Sequence, residues 1–172
     1  NGIKIGFLAY AASYIAAPDK PGAAPADKRR ILSEVDLLRR SVDVVVVSLH
    51  LGFEYAPMPG IRVFSLMRSL LSKGVDIILG HHPHVPQGLI TCDDKIAFCS
   101  LGNCVSDQMH PDVKKRTLTR VLQEGNPFAK KYYDHVKIGL FAEITIVKNN
   151  NSITISHHAR QIKISEDFAP EL

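Results

Sequence analysis

Long apolar runs are missing from this chain. No stretch reaches the ~18 to 20 apolar residues that a membrane-spanning helix needs, and the longest candidate, "FLAYAASYIAA", is interrupted by Tyr10, Ser13 and Tyr14. The chain itself is therefore not expected to span a membrane. That run also lacks the basic flank and cleavage site of a signal peptide, and the first residue is Asn, so the sequence reads as an excised or processed fragment without a signal or anchor of its own. Cysteine is scarce. Cys92, Cys99 and Cys104 are odd in number and form no Cys-x-x-Cys pair, which excludes a disulfide framework or a zinc knuckle. Free thiols are expected, with one pair able to oxidise. A strong charge excess is missing too: 21 Lys and Arg face 17 Asp and Glu, for a net charge of +4. The basic pairs Arg29-Arg30, Lys114-Lys115 and Lys130-Lys131 are scattered, and no nucleic-acid partner is expected. There is no internal repeat, and the one biased tract, "AAPDKPGAAPAD", reads as a loop because its three prolines prevent a regular element.

What is present is a regular alternation of strand and helix. "IKIGFLAY" reads as a mostly buried strand. Asp27 then caps a helix near 28–40, with Ile31, Leu32, Val35 and Leu38 at helical spacing and Arg39-Arg40 at its C-terminal end. "VDVVVVSL" is a continuous β-branched run, too short for a typical helix, and predicts a central strand covered on both faces. A second helix near 61–73, stopped by Gly74, leads into the short strand "VDIILG". This rhythm predicts an α/β fold in which strands near 3–9, 43–49, 75–79 and 96–100 share a largely parallel sheet flanked by helices. "GLITC-DDK-IAFCSLGN" and "GLFAEITIV-KNNN-SITISHHARQIKI" read as antiparallel hairpins, making the sheet mixed. Between them lie a helix near 112–124 and a polar connection. With 172 residues, 45% of them hydrophobic, the chain has room for one core.

Ligands of open α/β sheets gather beyond the carboxyl ends of the parallel strands. Two polar clusters leave the sheet there: His50, in "SLHLGFEY", and the "GHHPHVPQG" segment with His81, His82 and His84. A His-x-His pair in extended or turn backbone can send two imidazoles to one side, where they suit borderline divalent metals. The alternative is a histidine-rich surface turn. Glu54 either orients His50 from behind or faces water, and Asn103 in "SLGN" either supports a ligand or caps the turn. His110, His135 and His157-His158 read as structural, the last two on opposite faces of a strand.

Four segments in order, "NGIKIGFLAY", "VDVVVVSLHLGFEY", "GVDIILGHHPHVPQG" and "IAFCSLGNCV", resemble the poly-gamma-glutamate capsule biosynthesis proteins of the CapA/PgsA family, within the calcineurin-like metallophosphoesterase superfamily. The resemblance runs from residue 1 to about 107, is weak in the final hairpin, and does not cover 108–138. It departs at Leu51, where tryptophan is usual, and at Cys104, where phenylalanine is usual. The fold implied is the C-terminal half of a four-layer αββα sandwich, so residues 1–172 read as a single domain or a half-domain.

The resemblance implies His50, His82 and His84 as ligands of a dinuclear site for two divalent cations (Mn, Zn or Fe), with His81, Glu54 and Asn103 behind them or toward the substrate. The other ligands and the general-acid histidine are expected upstream of this chain. Metal-assisted hydrolysis of an anionic polymer or a phosphoester is the implied activity, in the cell envelope or outside the cytoplasm. A membrane-bound polymer synthesis complex is the implied partner. Two other readings remain open, a non-catalytic scaffold of such a complex and a general small-molecule phosphoesterase. Arg62 and Arg68 are candidates for attracting carboxylates, although each lies on a helix where solvation is the ordinary role.

Overall fold

The computed structural model describes residues 2–150 and 152–171. In chain order its elements are β1 (Ile5–Ala11), α1 (Lys28–Arg39), β2 (Val44–His50), α2 (Ile61–Ser72), β3 (Ile77–His81), β4 (Leu89–Cys92) and β5 (Lys95–Phe98). Then follow α3 (Pro111–Gln123), α4 (Ala129–Tyr132), a 3-10 turn (Tyr133–Lys137), β6 (Ile138–Asn149), β7 (Ser152–Ile164) and the short β8 (Pro170–Glu171). One sheet has the order β1-β2-β3-β5-β4, with the first four strands parallel and β4 antiparallel at the edge. The four segments expected to share a sheet do so, and the helices fall within a residue or two of their expected ends.

The β2 strand explains the layering. Its side chains alternate between two faces, and Val44 through Val47 are all buried. Val45, Val47 and Leu49 join Ile78 beneath Ile31 and Val35 of α1 and Met67, Leu70 and Leu71 of α2. Val44 and Val46 face the other way with Ile77, Ile96 and Phe98, against Ala142, Ile144, Ile146, Ile153, Ile155 and Ala159. This second face corrects the expected hairpin arrangement: β6 and β7 do not extend the mixed sheet but form a separate antiparallel sheet with β8, stacked on the first. The alternation of β7 puts His157 on the face toward the first sheet, edge-on to Phe98 with ring centroids 5.9 Å apart, and His158 on the other face opposite Glu143, and both residues remain exposed.

Two further expectations need correction. β1 is not mostly buried: it is an edge strand, so Ile5 and Phe7 are 42% and 68% exposed. Its sequence is apolar enough for a central position, but only the face carrying Tyr10 is covered. The polar connection after α3 is also not merely a connection, because it holds α4 and the 3-10 turn, and its Ala129, Tyr133 and Val136 are buried with Tyr55, Val85 and Val121 in a third apolar cluster.

Polar staples fix the parallel strands. The Asp76 carboxylate accepts from the Val45 amide at 2.7 Å and pairs with the Arg39 guanidinium, which also donates to the Asp43 carbonyl at 2.8 Å. At Gly80 the backbone comes so close to its neighbour that a Cβ would lie 2.1 Å from the Cys99 carbonyl oxygen. No helix among the described residues is long and apolar enough to cross a membrane.

Asp at Val45, which is fully buried, should abolish the cooperative fold, because an unpaired buried carboxylate costs several kcal/mol against a total stability of about 5 to 15 kcal/mol. Asp at the exposed Phe7 should leave a cooperative melt. Circular dichroism melts of the two variants check this, and equal loss in both would contradict the assignment of β2 as centre and β1 as edge.

Candidate functional site

The parallel register ends with Ala11 beside His50 and His50 beside His81, so β1, β2 and β3 run out together at one edge. His50 is the last residue of β2, where the apolar core stops and the side chain meets solvent. β3 is followed at once by His82, Pro83 and His84. His82 and His84 both lie in the left-handed region, at φ 97° and 60°, and Tyr55 on the facing loop does as well, at φ 64°. Such conformations cost about 1 to 3 kcal/mol each outside glycine, and they persist where surrounding contacts over-determine them.

The structure brings two of the three expected ligands into contact. His82 Nδ1 lies 3.2 Å from His50 Nε2, and the rings meet edge to face with centroids 4.9 Å apart. Two nitrogens bound to one ion by bonds of about 2.1 Å would stand roughly 3.0 to 3.4 Å apart, so the pair has the spacing of one corner of a coordination site. His84 stands beside them, its ring centroid 6.3 Å from that of His82. Among the described residues, no three His, Cys, Asp or Glu side chains are gathered so as to hold an ion by themselves.

The His84 tautomer follows from its neighbours. Asn103 Nδ2 donates to the Val136 carbonyl at 3.0 Å and to Gln108 Oε1 at 2.9 Å, which turns Oδ1 toward His84 Nδ1 at 3.0 Å. An amide oxygen only accepts, so His84 Nδ1 is the donor, and in the neutral ring the lone pair lies on Nε2. This is the arrangement in which a supporting group prepares an imidazole as a ligand. Asn103 owes its position to Gly139, where a Cβ would lie 1.9 Å from the Asn103 carbonyl oxygen.

Glu54 is paired with Arg120. Both carboxylate oxygens accept from Arg120 of α3 at 3.1 Å, its side chain is only 17% exposed, and its carbonyl accepts from Asn126 at 3.1 Å. Sequence reasoning missed Arg120, whose only readable signal is its i,i+4 partner Glu124. It likewise passed over Tyr55 and Gln87. A cleft of about 300 Å³ separates the histidine loop from α3, lined by Phe53, Glu54, His82, Arg120 and Asn126 among others. A larger, mainly apolar groove of about 620 Å³ lies on the other side of Phe53, with Leu51, Ile61 and Arg62 in its wall. The Arg68 guanidinium instead lies over the Phe64 ring, 5.9 Å from its centroid. All three cysteines are free, and burial pushes the Cys99 thiol up.

Three histidines of this edge are held below the ordinary imidazole pKa. For His50 the causes are partial burial and then His84; for His81 and for His82 they are burial and then His50, with Glu54 acting in the opposite direction at His82. The neutral form, the one that ligates metal, is thereby favoured. In the unfolded chain each would protonate near its ordinary value of about 6.5. Their contribution to stability is therefore complete above that pH and is lost as pH falls through it toward the folded-state values. The melting temperature of the metal-free chain should fall between about pH 7.5 and pH 5, and a His50→Gln/His82→Gln double substitution should flatten that slope. A wild-type slope that the substitutions leave unchanged would contradict this.

The comparisons with known proteins bear on the same residues. The family profile of the bacterial capsule synthesis protein PGA_cap matches residues 1–108, a stretch that carries His50, the whole His81–His84 segment and Asn103. The chain is 36% identical over 112 residues to the "PGA biosynthesis protein CapA" of Bacillus subtilis (strain 168), covering 63% of this chain and 30% of that protein. It is also 36% identical over 116 residues to the "Capsule biosynthesis protein CapA" of Bacillus anthracis, covering 63% of this chain and 28% of that protein. The aligned stretch thus spans less than a third of the length of either relative. With the motif-bearing strand ends inside the matched residues, this chain belongs to the bacterial capsule synthesis protein family PGA_cap.

Proposed function

We propose that the edge formed by His50, His82 and His84 is part of a dinuclear divalent-metal site, and that the chain serves metal-assisted hydrolysis in the biosynthesis of an anionic capsule polymer. One observation carries this reading: the His50 and His82 nitrogens stand 3.2 Å apart at the carboxyl edge of a parallel sheet. His50 and His82 would hold an ion between them, and His84, with its proton fixed on Nδ1 by Asn103, would offer Nε2. When bound, such ions lower the pKa of a bridging water and polarise a phosphoryl or acyl oxygen.

The chain's own residues supply the setting. Burial and then the neighbouring imidazoles hold His50, His81 and His82 below the ordinary imidazole value, which favours their neutral form. Arg120 pairs with Glu54 beside the histidine loop, and the cleft between Phe53 and Asn126 gives a substrate a way to the His82 ring. The capsule assignment rests on the relatives, both described as biosynthesis proteins of PGA or capsule, and with it goes a place in the cell envelope beside a polymer synthesis complex. A second reading is a non-catalytic scaffold of that complex, which the same relatives would fit without any hydrolysis.

Elemental analysis after loading with Zn or Mn, combined with hydrolysis of a generic phosphoester, separates the two. Wild type should retain metal, and His82→Ala should lose at least about tenfold in affinity. Stoichiometric metal unchanged by His82→Ala would remove the ligand assignment. Metal lost on substitution, with no hydrolysis by any form that carries the remaining family residues, would favour the scaffold.

A further inference from the structure

His82 and His84 hold left-handed backbone conformations on either side of Pro83. Proline restrains its own φ, but it does not hold its neighbours there, so other groups must fix the loop. Two hydrogen bonds join it to the loop after β2: the Tyr55 amide donates to the Pro83 carbonyl at 2.8 Å, and the buried Gln87 side-chain amide donates to the Ala56 carbonyl at 2.8 Å. The Tyr55 ring also lies nearly parallel to His84, with centroids 6.3 Å apart and planes 28° apart.

Tyr55 is itself completely buried, packed among Val121, Ala129, Tyr133 and Val136, with its ring 5.1 Å from that of Tyr133. All four of these residues lie beyond the family-matched 1–108. The Tyr55 hydroxyl has no hydrogen-bond partner among the described residues. The hydroxyl therefore does not account for the position of the side chain, whereas the ring and the backbone amide do.

We propose that Tyr55 is, beside Asn103, a positioning residue of the histidine site: its amide fixes Pro83 and its ring braces His84, so that the α3 to 3-10 segment behind it governs the order of the loop. Tyr55 touches no reacting atom and acts only through Pro83 and His84. The proposal rests on the metal reading for its purpose but not for its geometry. It also makes residues 109–137, which carry no site motif, the support of the site in this chain.

The test compares the 172-residue chain with Tyr55→Phe and Tyr55→Leu. Long-range nitrogen–proton NMR reads the His84 tautomer without metal, competition with a chromophoric chelator reads zinc affinity, and circular dichroism reads the fold. Both variants keep the backbone amide and Tyr55→Phe also keeps the ring, so in it the Nδ1-protonated tautomer should remain, zinc affinity should stay within about twofold, and the melting temperature should not fall. Tyr55→Leu should give exchange-averaged His84 signals and lose roughly tenfold in zinc affinity at temperatures where the fold is intact. A folded Tyr55→Leu with a wild-type His84 tautomer overturns the proposal, as does Tyr55→Phe losing as much as Tyr55→Leu. Should Tyr55→Leu not fold, Val121→Ala loosens the ring from behind, and unchanged His84 signals there overturn it equally. A wild type that binds no zinc, with His84 still averaged in Tyr55→Leu, retires the metal reading and leaves the positioning role standing.

Discussion

Everything in this molecule depends on a strand that has no exposed face. Val44 to Val47 are buried on both sides, one set under α1 and α2, the other against the second sheet. A strand so enclosed tolerates polarity only at its ends, and the parallel neighbours place their ends at the same level. His50 and His81 are register partners for that reason, and the histidine loop begins one residue later. His50, His81, His82 and His84 come together at this edge because the enclosed strands leave polar side chains room only at their ends.

Beyond the edge, the geometry is held by cross-links between loops that are far apart in sequence. Tyr55 to Pro83, Gln87 to Ala56, Asn103 to His84 and Val136, and Arg120 to Glu54 together link four segments. Two histidines kept in left-handed backbone need such support, because each local preference would relax the loop toward an ordinary turn. Gly139 adds a steric condition, since only a residue without a side chain lets Asn103 approach that closely.

Much of the fold was legible in the sequence, because it rests on local signals. The β-branched run of β2, the Asp27 cap, whose carboxylate accepts from the Arg30 amide at 2.9 Å, and the apolar spacing of both early helices all point to the observed elements. What failed depended on tertiary placement. "IKIGFLAY" has the composition of a buried strand, and nothing within it says that one side has no neighbour. The hairpin β6-β7 was readable as a hairpin, whereas its stacking on the first sheet is a long-range fact. At the site, the residues that look like ligands were visible from residue type and spacing. The residues that hold them were not: Tyr55 reads as an ordinary aromatic and Arg120 as one of a scattered set of cations, and both matter because of contacts across 66 to 81 positions, such as Arg120 to Glu54 and Tyr55 to Val136.

The central claim is that a metal binds through imidazoles at the carboxyl edge of the parallel sheet. X-ray absorption at the zinc edge of the zinc-loaded protein tests it most directly. The expected spectrum has a first shell of nitrogen and oxygen at about 2.0 to 2.1 Å with outer scattering from imidazole rings, a signature lost when His50 and His82 are replaced by Gln. A sulfur shell near ~2.3 Å, which would point to the cysteines, or a spectrum that the histidine substitutions leave unchanged, would contradict it.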